Sequence, residues 1–151
     1  MDWALLGFDT HRRLQYYVRD LNRLYSAEPA LHQVDFSWEG FQWIDFRDVD
    51  QSIVSFLRRA RQADDFLVVV ANFTPVVRSG YRVGVPRAGR YIEVLNSDSE
   101  HYGGSNVGNA GGLPADEMPW QGQPFSLLLT LPPLGVLFLA PEPPPPAPPS
   151  L

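Results

Sequence analysis

The sequence predicts a mainly β fold, an antiparallel β-sandwich preceded by one amphipathic helix. Before position 29, apolar residues recur at three- and four-residue intervals; beyond it they gather into short β-branched and aromatic runs separated by turn residues. One run, Phe66-Leu67-Val68-Val69-Val70-Ala71, lacks polar alternation, which marks a central strand covered on both faces. With 151 residues, 44% of them hydrophobic, the chain has material for one ordinary core.

The helix is predicted over residues 10–25, where Leu14, Tyr17, Val18, Leu21, Leu24 and Tyr25 form the apolar stripe and Arg12, Arg13, Arg19, Asp20 and Arg23 the polar face. Asp9 or Thr10 is the expected cap, and Glu28-Pro29 favours extended geometry, which ends the helix. Strands are expected at residues 41–46, 52–57, 66–73, 81–85, 91–96, 125–131 and 136–140, seven in all. Pro132-Pro133-Leu134-Gly135 punctuates a tight reversal between the last two. Arg82 and Glu93 suggest strands with one wet face. The Gly-, Asn- and Ser-rich stretch between Asn96 and Phe125 is long for a structureless loop and reads as a functional loop or a family-specific excursion. Residues 141–149, nearly all proline, read as an extended, disordered polyproline tail.

Composition excludes several classes of function. The net charge of -5 and the scattered basic residues, all twelve of them arginine, do not suit a phosphate backbone, so nucleic acid is not an expected partner. Without cysteine there is no disulfide, thiolate zinc site or cysteine nucleophile, and the three histidines complete no metal-ligand spacing. No apolar run approaches the ~18 residues that span a bilayer, and no signal-peptide pattern opens the chain; the expectation is a cytoplasmic protein with no membrane partner. Asn72-Phe73-Thr74 fits a glycosylation sequon, but with Pro75 behind it reads as a chance match.

The candidate chemical groups are sparse. Asp64-Asp65, Asp98-Ser99-Glu100 with His101, and Asp116-Glu117 offer carboxylates, yet adjacent strand residues point to opposite faces, and Asp or Asn beside glycine forms turns. Ser99 and His101 lack an elbow or an oxyanion hole, and Gly103–Asn109 lacks the lysine and the strand-to-helix setting of a phosphate loop. No catalytic residue and no metal ligand is assigned. Among the tryptophans, Trp43 is placed in the core from its strand pattern. Trp38 and Trp120, beside glycines, are the candidates for exposed faces on which a sugar ring could stack.

Several motifs in order resemble the C-terminal region of bacterial glycogen (1,4-alpha-glucan) branching enzymes of the alpha-amylase superfamily. They are Val18-Arg19-Asp20-Leu21-Asn22-Arg23-Leu24-Tyr25, Gly40-Phe41-Gln42-Trp43-Ile44-Asp45, Val70-Ala71-Asn72-Phe73-Thr74-Pro75, Gly80-Tyr81-Arg82-Val83-Gly84-Val85-Pro86, Tyr102-Gly103-Gly104-Ser105-Asn106 and Leu131-Pro132-Pro133-Leu134. The resemblance implies that residues 1–30 are the last loop and helix of a (β/α)8 catalytic barrel, 31–140 the C-terminal all-β domain and 141–151 a disordered tail. It places Asp2-Trp3 in the loop after the last barrel strand. It implies a transferase that moves an α-1,4-glucan segment to form an α-1,6 branch without a cofactor, with its catalytic carboxylates on the barrel and outside this chain. The chain alone is therefore expected to be inactive. The implied partners are that barrel and α-glucan; without the barrel, the helix stripe is expected to self-associate or fray. The competing readings are a stand-alone α-glucan-binding module and the corresponding domain of a related hydrolase.

Overall fold

The computed structural model describes residues 3–143; the Asp2 part of the Asp2-Trp3 match and the tail from Pro144 onward lie outside the described residues. After a 3-10 turn at Trp3–Gly7 comes helix α1 (Asp9–Ala27), then eight strands: β1 (Phe41–Asp48), β2 (Ile53–Arg59), β3 (Phe66–Asn72), β4 (Arg78–Val85), β5 (Arg90–Asn96), β6 (Gly112–Pro114), β7 (Phe125–Leu131) and β8 (Gly135–Pro141). Six of them form an antiparallel sheet in the order β1-β2-β3-β8-β5-β6, and β4 with β7 forms a second, two-stranded sheet. All seven expected strands are present. The eighth, β6, has only three residues and no alternation to mark it.

Helix α1 begins and ends where the sequence turns against helix, but its cap differs from the expectation. Phe8 occupies the N-cap and offers no side-chain bond, while Asp9 lies in the first turn with its carboxylate taken by Arg12 and Arg13. Those two guanidiniums hold the Asp9 carboxyl below its usual range. Its charge still complements the helix dipole there. At the other end the Glu28 N–H bonds the Leu24 carbonyl, and Pro29 starts a new 3-10 turn, Pro29–Leu31.

The core follows from alternation along β3, the one strand whose seven residues are all buried. Phe66, Val68 and Val70 face the small sheet and meet Val83, Val85, Leu127, Leu129, Leu131, Leu137 and Leu139. On the opposite face Leu67 meets Ala30 and Ala60, so the turn after α1 lids the back of the large sheet. Each fully buried leucine or valine contributes about 1.5–3 kcal/mol of burial. Arg58 secures the lid by donating to the Leu31 carbonyl at 3.2 Å and to the Asp35 carboxylate at 2.6 Å.

Arg82 keeps the expected outward position on β4, opposite the exposed Leu128, whereas Glu93 lies opposite the buried Leu139; both are partly covered. The long segment after Asn96 folds back over both: Arg82 donates to Asp116 and Ser126, and Glu93 accepts from Asn96 and Asn109.

The chain crosses from one sheet to the other after β3 and again between β7 and β8, and Asn72 ties the two crossings. Its amide donates to the Val76 carbonyl at 2.8 Å and the Pro132 carbonyl at 2.9 Å, while its oxygen accepts from the Thr74 N–H and hydroxyl. Asn72 is 2% exposed, so the sequon is closed to modification in the folded chain. Asn72→Ala leaves the buried Pro132 carbonyl and the part-buried Val76 carbonyl without their donor and should cost about 2 kcal/mol. The expected result is a lower urea midpoint at unchanged slope, read by tryptophan fluorescence.

Candidate functional site

In the acidic clusters, Asp98 and Asp116 are engaged in local structure. Asp98 accepts from the Ser105 N–H and hydroxyl and from the Val107 N–H, which folds residues 98–107 around one carboxylate. Asp116 pairs with Arg82 at 2.7 Å. Asp65 closes the β2–β3 turn through its carbonyl, which accepts from Ala60. Ser99 accepts from the His101 backbone N–H rather than facing an imidazole, so no nucleophile–base pair forms there. Among the described residues no group of three His, Cys, Asp or Glu side chains is arranged to hold a metal.

The glycine-rich stretch is a clamp for the helix. Gly103 takes a left-handed φ of 91°, and Gly104 lies so close to the Asp98 backbone that an added Cβ would meet its carbonyl oxygen at 2.2 Å. This brings the 3-10 turn Glu100–Tyr102 against α1. Arg13 donates to the Glu100 carbonyl at 2.8 Å, the Tyr102 hydroxyl donates to Asp20 at 3.1 Å, Tyr17 packs edge-on to Tyr102, and His101 stacks on Tyr16. The Arg19 guanidinium, and secondarily the Tyr102 hydroxyl, hold the Asp20 carboxyl low against the opposing effect of burial. Burial, aided by the Asp20 bond, pushes the Tyr102 phenol up to about 12. The docked face of α1 is thus polar and aromatic, and Leu14, Val18 and Tyr25, on the neighbouring face, remain exposed.

The tryptophans divide differently from the expectation. Trp38 (84% exposed) and Trp120 (46% exposed) are indeed open to solvent, but they occupy separate places: Trp38 lies in the 3-10 turn before β1, Trp120 in the segment before β7. Trp43 is not in the core. Its cross-strand partner is Phe56, and the inward position of β1 belongs to Ile44 at a bulge, so alternation puts the indole on the outer face. There it packs edge-on to Phe41 at 4.9 Å between ring centres and contacts Phe46 and Phe56, making an aromatic ledge. The i, i+2 spacing of Phe41 and Trp43 is the signal that could have placed both on one face.

A cleft of about 650 Å3 opens where β1 of the large sheet faces β4 of the small one. Asp45 and Asp48 line one wall, Arg78 to Arg82 the other, and Trp120, Gln121 and Leu128 complete the rim. Two bonds cross it: Tyr81 donates to Asp48 at 2.8 Å, and Gln121 donates to Asp45 at 3.1 Å. Burial and these carboxylates raise the Tyr81 phenol, which stays protonated as the donor. Of this group the sequence reading singled out only Trp120.

The pattern of the family described as alpha amylase, C-terminal all-beta domain, matches residues 43–142. The chain is also similar to proteins named 1,4-alpha-glucan branching enzyme GlgB. It is 61% identical to that of Rubrobacter xylanophilus over 143 residues, 95% of this chain and 20% of the relative. It is 51% identical to that of Aquifex aeolicus over 142 residues (94% and 22%) and 54% identical to that of Nitrosomonas europaea over 139 residues (92% and 19%). The chain spans about a fifth of the length of these curated relatives.

Two outcomes follow from the clamp. Gly104→Ala should force the loop off Asp98, speeding amide exchange in residues 97–109 and in α1 while β3 keeps its protection; equal loosening of β3 would contradict a local clamp. Asp20, with its carboxyl lowered, contributes stability above its ordinary value of 3.8 that is lost as pH falls further, whereas Tyr102, raised, contributes below 10.0 and is lost as pH climbs through about 12. Exchange of α1, compared with β3 at each pH, should accelerate at both extremes, and Tyr102→Phe should shrink the alkaline limb to the part that Tyr17, also raised by burial, contributes.

Proposed function

The chain belongs to the alpha-amylase C-terminal all-β domain family, and we propose that it serves as the C-terminal part of a 1,4-α-glucan branching enzyme. The observation that carries this is identity of 51–61% along more than nine-tenths of the chain with proteins of that name, each about five times its length. In this reading the enzyme acts in the cytoplasm, transfers an α-1,4-glucan segment to form an α-1,6 branch, and needs no cofactor. Retaining chemistry of that kind uses two carboxyl groups about 5–5.5 Å apart beside a glucan cleft. Those groups are assigned to the barrel; within this chain, Asp98 and Asp116 are spent on loop and strand structure. The sandwich buttresses the barrel, and exposed aromatics, Trp38 and Trp120 among them, add glucan contacts. No described helix is long and apolar enough to cross a membrane.

The same reading divides the chain into residues 1–30, the last loop and helix of the barrel, 31–140, the all-β domain, and 141–151, a tail, although Pro141 ends β8 and the Glu142 N–H bonds the Arg90 carbonyl, so the sheet runs two residues past that boundary. Two features support it: α1 precedes the stretch that the family pattern matches, and it has no buried residue of its own. Leu14, Val18 and Tyr25 form a stripe that the barrel covers, each forgoing about 1.5–3 kcal/mol while bare. Self-association is the alternative way to hide it.

The test is a chimera in which this chain replaces the matching stretch of the Rubrobacter relative. The chimera should form α-1,6 linkages from amylose, and the 151-residue chain alone should form none; branching by the chain alone would overturn the assignment. Leu14→Asp with Val18→Asp should destabilise the chimera by about 3 kcal/mol or more, read as faster thermal inactivation, while leaving the urea midpoint of the isolated chain unchanged. Equal loss in both would mean that the stripe is covered within these residues.

A further inference from the structure

We infer that the cleft between β1 and β4 is a saccharide subsite, with Trp120 as its stacking wall and Asp45, Asp48 and Arg78 as its hydrogen-bonding groups; the ligand class, α-glucan, rests on the reading above. The volume of about 650 Å3 lies within the roughly 300–1,000 Å3 typical of small-molecule sites. What fills such a cleft follows from its chemistry. Asp45 and Asp48 set against Arg78 and Arg82 leave the walls no excess of one sign to select an ion, and the charged walls exclude a purely apolar guest. A neutral polyol has what the walls lack: hydroxyl groups that donate to carboxylates, accept from a guanidinium, and ring hydrogens that lie on an indole.

The groups are held in place before any ligand arrives. Trp120 and Gln123 exchange backbone hydrogen bonds at 3.0 and 2.9 Å around Gln121 and Gly122, both left-handed, which is a tight two-residue turn. That turn is pinned to β4, where the Gly84 N–H donates to the Gln121 side-chain oxygen, and Gly84 has no room for a Cβ, which would meet the Trp120 carbonyl at 2.1 Å. The same Gln121 amide then donates to Asp45, so the indole and the first carboxylate share one support. Asp48 is oriented by Gln51 and Tyr81.

Arg78 supplies the independent sign of a ligand. Its Nε is buried and has no hydrogen-bond partner among the described residues, beside a register irregularity in β4 that separates Arg78 from Tyr81. A buried guanidinium N–H without an acceptor costs stability unless something else supplies one. A sugar hydroxyl seated against Arg78 would do so once the side chain turns that N–H toward the cleft. Asp45 and Asp48 retain lone pairs beyond those used by the protein, so they accept from the same ring's other hydroxyls.

The experiment uses the 151-residue chain with maltoheptaose, followed by nitrogen–proton NMR, with the Trp120 indole signal assigned from Trp120→Phe. Titration should move the signals of Trp120, Gln121 and residues 78–82 together. Trp120→Ala and Arg78→Met should each weaken binding about tenfold. Because the Arg78 Nε–H bonds nothing in the protein, Arg78→Met should leave the urea midpoint unchanged or higher, which separates lost recognition from lost folding. If maltoheptaose binds but shifts only the Phe41, Trp43 and Phe46 signals, or if both variants bind it normally, the cleft is not the subsite and the glucan reading stands. If no signal moves at millimolar maltoheptaose, the cleft inference fails by itself, since the chimera judges the branching-enzyme assignment independently.

Discussion

The fold hangs on one buried amide. Two sheets must be held face to face while the chain passes four times between them, and two of those passages, β3 to β4 and β7 to β8, converge on Asn72 at the end of the strand buried on both faces. A β-sandwich is usually credited to its apolar contacts, and here Leu127, Leu129, Leu137 and Leu139 do fill the space between the sheets. Those contacts have no direction. The angle and separation at which β3 hands over to β4, and β7 to β8, are fixed by a side chain that satisfies carbonyls from both corners at once.

What was legible in the sequence was whatever follows from periodicity. The unbroken apolar run of residues 66–71 could only be a strand with two dry faces, and the stripe of α1 could only be a helix. Cross-strand consequences were not legible. Trp43 looked like core because tryptophan inside a strand pattern is usually buried, but which face it takes depends on the bulge at Ile44 and on pairing with Phe56. Similarly, Arg82 and Glu93 carry charges that alternation assigns to water, until the segment after Asn96 folds over them. The cleft was invisible for the same reason, since Asp45, Arg78 and Trp120 are brought together only by contact between two sheets.

The helix shows how a surface can be docked and still unfinished. Its contact with the glycine-rich loop runs through Arg13, Tyr17, Asp20 and Tyr102, groups that also tolerate water, while its more apolar residues look outward. A polar dock orients the element at little cost in specificity, and it leaves the hydrophobic contribution to whatever covers Leu14 and Val18.

The outermost strands carry a different consequence. Each end of the six-stranded sheet exposes a row of backbone groups that could template a neighbouring chain, and the two ends are blunted in different ways. At one end β6 is three residues long and finishes in Pro114, which has no N–H to offer. At the other, β1 is longer and carries exposed aromatic rings, but its register is interrupted twice, between Trp43 and Asp45 and again between Asp45 and Asp48. The bulge that turns the Trp43 indole outward therefore also spoils the straight edge along which a second copy would zip, so the ledge can stay aromatic without inviting fibres.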